Sequence, residues 1–163
     1  MLRYYVVDNC NENEPIHLLI NLCDGVKGVL FFIYTIMFHY MLLFYQLDSK
    51  QRKILLKLSE EKLQNYKHLN KVMLASNIQI YQNEKKVNNM WKQIKVYSNS
   101  KNFFNYSCLL QKEIIEKCKK MLNIFKKKKQ KAILLKVLYS EKEHLDIFEK
   151  LNQYDLEKNS NIN

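Results

Sequence analysis

Residues 28–47 read Gly-Val-Leu-Phe-Phe-Ile-Tyr-Thr-Ile-Met-Phe-His-Tyr-Met-Leu-Leu-Phe-Tyr-Gln-Leu, without a charge, and the next six positions are mostly charged. Twenty residues at about 1.5 Å per residue span ~30 Å, the hydrocarbon thickness of a bilayer. The pattern predicts a membrane span over 28–47. Thr35 and His39 stand one turn apart with Tyr40 beside them, so the polar positions form one narrow face. Such a face suits contact with another membrane helix. The flanks set the orientation. Arg3 and Lys27 precede the run, whereas Lys50, Arg52, Lys53, Lys57, Lys62 and Lys67 follow it closely. The positive-inside rule then puts the C-terminal body on the cytosolic or an equivalent side of a single-pass protein. Two readings compete, a buried helix of a soluble bundle and a recessed signal. A cleaved signal needs a basic start and small residues before the cut. The acidic stretch 8–14 and the ending Leu-Phe-Tyr-Gln-Leu supply neither.

After Leu47 the apolar period lengthens. Tyr66, Met73, Ile80, Val87 and Ile94 recur every seven residues, with a second row at Leu56, Leu63, Asn70, Asn77, Glu84 and Trp91. A sustained heptad stripe predicts one helix from Asp48 to Tyr97 with a coiled-coil seam. Ser98-Asn99-Ser100-Lys101-Asn102 reads as a connector, because Ser and Asn side chains end one helix and cap the next. Beyond it Ile114, Cys118, Met121, Phe125, Ala132, Leu135 and Tyr139 follow three-four spacing broken only at Lys128, and Leu145, Phe148 and Leu151 extend the face. The expected fold class is all-α: a single transmembrane helix followed by a long antiparallel helical hairpin of coiled-coil type. Its parts are a short N-terminal segment 1–27, the span 28–47, the hairpin 48–157 with connector 98–102, and a tail 158–163. Within the first part, Pro15 opens and Gly25 ends a short amphipathic helix, Ile16 to Cys23, suited to rest on a membrane surface.

Composition supports the helices. The chain holds 2 Gly and 1 Pro, all before Val29, so the tight turns of a β-fold lack their usual residues. Charge is divided unevenly. Residues 1–47 carry 2 basic and 4 acidic residues, a net −2; the remaining 25 basic and 12 acidic give +13. All basic residues except Arg3 and Arg52 are Lys, which argues against base-specific readout, the work of Arg forks.

Candidate chemistry is sparse. Lys126, Lys127, Lys128, Lys129 and Lys131 form a basic cluster. It reads as a solvated face or acidic-partner contact before a nucleic-acid or phosphoinositide patch. His39 has no second ligand at helical spacing, and the Cys residues at 10, 23, 108 and 118 form no CxxC pair. No catalytic residue, metal site or cofactor is expected. Cys108 and Cys118 read as packing residues, and the pairs Glu60-Glu61 and Glu141/Glu143 as solvated helix faces. The reading is non-enzymatic: a membrane-anchored scaffold, tether or accessory subunit that meets protein partners, its own copies among them, through helical seams. The alternative is a basic helical protein that binds RNA or DNA nonspecifically in a ribonucleoprotein. Alkaline carbonate extraction of native membranes checks the span: the full-length chain is expected in the pellet, and release at full length would exclude a span.

Overall fold

A computed structural model describes residues 3–5, 18–24, 26–27, 47–75, 78–80 and 103–160. Among these residues the protein is all-α apart from one pair of three-residue strands. The elements are β1 (Arg3–Tyr5), α1 (residues 18–24 and 26–27), α2 (Ser49–Ala75), β2 (Ile78–Ile80), α3 (Phe103–Ile124) and α4 (Lys128–Ser160). No helix among the described residues is long and apolar enough to cross a membrane. The run at 28–46, with Thr35, His39 and Tyr40, lies outside them, as do Val87, Ile94, Trp91 and the connector 98–102.

α2 starts with a reciprocal capping box. The Gln51 backbone N–H donates to Asp48 Oδ1 at 2.8 Å, and the Asp48 N–H donates to Gln51 Oε1 at 3.0 Å. Two first-turn donors without intrahelical partners are satisfied at once. Burial alone would raise the Asp48 carboxyl; the hydrogen bonds from the Gln51 backbone and the Tyr154 hydroxyl outweigh it and hold the group below its usual range. The helix predicted to reach Tyr97 ends at Ala75 instead, and Ile80 stands in β2, which pairs in parallel with β1 from Arg3↔Ile78 to Tyr5↔Ile80. The sequence Ser-Asn after Ala75 is unfavourable in a helix interior, and the alternation Ile-Gln-Ile suits a strand as well as a heptad.

The second predicted helix is two helices. α3 and α4 form an antiparallel hairpin that turns at Phe125-Lys126-Lys127, with neither Gly nor Pro. The Phe125 N–H still donates to the Met121 carbonyl at 3.0 Å, and the Lys131 N–H to the Lys127 carbonyl at 3.1 Å, so one helix closes and the next opens across these three residues. A continuous helix would stack Lys126 on Lys129 and Lys127 on Lys131, pairs of like charge at i,i+3 and i,i+4. α4 continues to Ser160, past the expected end at 157.

α4 is the spine. α3 runs antiparallel to it across the three-residue turn, and Gln111 meets Glu141. α2 also runs antiparallel to it, since Glu61 meets His144 and Asn65 meets Ser140. α1 does not lie on a surface. Leu19, Leu22, Cys23 and Val26 are fully buried, and Cys23 Sγ lies 3.5 Å from Met73 Sδ of α2. The core gathers Leu55, Leu58, Leu69 and Val72 of α2, Phe104, Ile114 and Met121 of α3, and Leu134, Val137 and Phe148 of α4.

One phase error follows from the turn. Ala132, Leu135 and Tyr139, aligned with Ile114 and Cys118 in the sequence pattern, face outward on α4, whereas Leu134, Val137 and Leu138 face the core. Three non-helical residues reset the rotation, so a row drawn through them lands on the opposite face. Leu134→Ala is expected to cost about 2–5 kcal/mol, and Leu135→Ala less than about 0.5 kcal/mol, in equal-length urea denaturation series. Equal costs would contradict this phase.

Candidate functional site

Each of the three long helices places polar side chains at one level of the core. α2 contributes Lys62 and Asn65, α3 contributes Gln111, and α4 contributes Glu141 and His144, all buried. The Lys62 Nζ donates to Glu141 Oε2 and, at 2.6 Å, to Gln111 Oε1. The Gln111 amide donates to the same Glu141 oxygen and, at 2.8 Å, to the Glu141 backbone carbonyl. Asn65 Nδ2 donates to Glu141 Oε1 at 2.7 Å and to the Ser140 hydroxyl at 2.9 Å. Both carboxylate oxygens are thereby occupied, and three helices converge on one charge.

Electrostatics here are a balance of burial and pairing. Burial pushes the Glu141 carboxyl up, but the Lys62 ammonium, with help from His144, outweighs it and holds Glu141 well below the usual carboxylate range. Burial lowers Lys62, and the Glu141 charge offsets that only in part. The expectation of a solvated Glu141 is therefore corrected. Its side chain is 0 % exposed, while Glu143, two residues on, faces out.

His144 extends the layer towards the surface. Its Nε2 lies 2.9 Å from Glu61 Oε2, and its Nδ1 lies 3.7 Å from Glu141 Oε2 with no hydrogen-bond partner. The Ser140 hydroxyl is 3.4 Å from the same Nε2. In a nucleophilic triad the hydroxyl and the acid occupy opposite nitrogens of the ring, so that one orients what the other deprotonates. Ser140 and Glu61 share one nitrogen, which does not build a relay. The thiols are equally poor nucleophiles, since burial pushes Cys118 up to about 12 and raises Cys23 and Cys108. Among the described residues no group of three His, Cys, Asp or Glu side chains is placed to hold a metal ion. The layer fits a structural role, fixing register and helix pairing.

The outward features lie elsewhere. Lys126, Lys127, Lys128, Lys129 and Lys131 are all exposed, gathered at the α3–α4 turn. Directly after them on α4 come Ala132, Leu135 and Tyr139, with Leu135 41 % and Tyr139 64 % exposed, and the Lys142 ammonium sits 5.9 Å from the Tyr139 ring centre. Of the seam residues, Tyr66 is half-buried and Met73 buried, so α2 spends that face on its own bundle. Its true stripe is Leu55, Leu58, Lys62, Asn65, Leu69 and Val72, in unbroken three-four spacing. The three-four spacing was the available signal for the ionic layer: polar residues interrupt it in α2, as Gln111 does in α3 and Glu141 in α4.

Fold and site together define a class, an all-α bundle of four helices among the described residues, pinned by an internal ion pair and lacking a recognisable catalytic constellation there. No family model, curated protein or solved structure matches the chain.

Removing one partner of the buried pair, as in Glu141→Leu or Lys62→Met, is expected to cost about 3–5 kcal/mol; the double variant is expected to recover most of that loss. Additive losses in chemical denaturation would deny the coupling. The pH dependence has a definite sign. A folded-state carboxyl below its unfolded value stabilises fully above the ordinary carboxylate range and loses that stabilisation as pH falls through and below it. Glu141→Leu paired with Lys62→Met should therefore flatten the acid limb of the stability profile.

Proposed function

We propose that this chain is a non-catalytic adaptor, a scaffold or accessory subunit whose helical bundle docks a protein partner on the outer face of α4. The run at 28–47 then serves as its membrane anchor, with the bundle on the cytosolic or equivalent side. The observation that carries the reading is the exposed apolar pair Leu135 and Tyr139 beside five exposed lysines. Folding gains little from either. Lys128, Lys129 and Lys131 sit in the first turns of α4, where cations oppose the helix dipole, and an exposed Leu-Tyr pair on one helix face contributes no core packing. Features that disagree with local folding preference are where interaction is to be sought.

The complementary partner is an acidic amphipathic helix. Its apolar positions would cover Leu135 and Tyr139, and its carboxylates would face the lysines, which speed encounter more than they tighten binding. Position agrees. α2 is 27 residues long, about 40 Å at 1.5 Å per residue, and α4 begins beside its far end. The lysines therefore stand ~40 Å from Leu47, beyond the ~8–10 Å reach of charge at cellular salt from a membrane at that end. The alternative, nonspecific RNA or DNA binding, relies on the same lysines but not on the apolar pair.

Affinity purification of the full-length chain from its native membranes separates the two. Leu135→Asp with Tyr139→Asp is expected to abolish recovery of the partner at unchanged helix content and melting temperature. Lys126→Glu with Lys127→Glu and Lys129→Glu should slow association roughly tenfold or more at low salt. Association that survives the Asp pair, falls steeply with salt and vanishes on nuclease treatment would assign nucleic acid instead.

A further inference from the structure

A groove of about 430 Å³ runs between the first half of α2 and the last half of α4, at the opposite end of the bundle from the lysine turn. Its floor is apolar, made by Ile54 and Leu58 on one side and Ile147 and Leu151 on the other. Three cations, Lys50, Lys57 and Lys150, line it against one carboxylate, Glu61. That carboxylate is already engaged by His144 at 2.9 Å and Lys57 at 3.7 Å. At the mouth the Lys50 ammonium sits 5.4 Å from the Tyr154 ring centre.

One polar group in the lining has no partner. Gln51 is 1 % exposed, and its Nε2 meets no hydrogen-bond acceptor. The orientation of this amide is not free: Oε1 is committed to the Asp48 N–H in the capping box, so the unpaired end of this groove-lining residue is the donor. A buried donor left unpaired is costly, and a site built to hydrogen-bond a ligand has this appearance before the ligand arrives. The Asp48 carboxylate nearby is taken up by the Gln51 N–H and the Tyr154 hydroxyl, and the groove keeps a positive balance.

We propose that this groove binds a single-chain carboxylate amphiphile of the fatty-acid type. The carboxylate accepts from Gln51 Nε2 within the field of Lys50 and Lys150, and the alkyl chain lies along Ile54, Leu58, Ile147 and Leu151 towards Lys57. The apolar floor excludes small hydrophilic anions, and the cations exclude an amphiphile with a positive head. The site is separate from the docking face on α4, so either proposal stands or fails alone.

Oleate labelled with ¹³C at the carboxyl carbon, titrated into the full-length protein, tests it. One saturable protein-bound carboxyl resonance is expected near one equivalent. Gln51→Glu keeps an oxygen for the capping box and replaces the donor by a like charge, so it should weaken binding at least tenfold. Its buried carboxylate also lowers the melting temperature, so an exposed substitution carries the test independently of stability. Lys150→Glu, at an exposed position, should weaken it too and leaves the core untouched. A resonance unaffected by both substitutions, or equal binding of a hexadecyltrimethylammonium probe labelled at its methyl carbons, would overturn the proposal. So would binding confined to vesicles containing phosphatidylserine with no saturable oleate resonance, which would make the groove a contact for bilayer lipid.

Discussion

The Lys62–Glu141 pair is the interaction on which the rest of this bundle depends. Two opposite charges without solvent exposure are tolerated only when further hydrogen bonds hold the pair in place. Gln111 and Asn65 meet that demand, and in doing so they bind α2 and α3 to one level of α4. Sliding α2 or α4 by one turn would separate the two charges in the core, and sliding α3 would take Gln111 away from both. The apolar residues above and below tolerate such a slip far better, because Leu, Ile and Val side chains exchange places at modest cost. The polar layer therefore specifies the arrangement that hydrophobic burial makes stable.

The two ends of the bundle are chemically different. At one end the capping box of α2, Tyr154 and three lysines surround a groove with an apolar floor and a free amide donor. At the other end the α3–α4 turn exposes five lysines next to an apolar strip on α4. An antiparallel bundle produces this separation naturally. The start of α2 and the end of α4 must meet at one end, while the end of α2 and the start of α4 meet at the other. Along α4, at 1.5 Å per residue, roughly 12–28 Å separate Leu135 and Tyr139 from the groove residues Ile147 to Tyr154.

The turn at 125–127 illustrates how charge shapes topology without Gly or Pro. A continuous helix would add the like-charge pairs Lys126–Lys129 and Lys127–Lys131 to the Lys128–Lys131 pair that α4 keeps, and the break falls where it avoids them. The break has a second effect. It rotates α4 so that Leu134, Val137 and Leu138 enter the core and Leu135 and Tyr139 leave it. The apolar strip that supports a docking role exists because of that rotation.

Much of this was legible from residues alone: the scarcity of Gly and Pro dictates helices, and the lysine cluster announces an exposed basic surface because five adjacent cations cannot all be buried. Burial of Cys108 and Cys118 follows from their apolar neighbours. Helix ends and helix phase were not legible at Ala75 or at Phe125, since Ile80 fits a heptad and a strand alike, and a three-residue turn is invisible to a three-four pattern. Nor was the fate of Lys62 and Glu141, whose residue types predict solvent. A lone charge in a stripe is ordinarily a surface residue; it becomes a core residue only when a counter-charge, seventy-nine positions away, arrives at the same level. Local periodicity decided that the chain would be helical, and only the tertiary meeting of distant polar residues decided which faces turned inward.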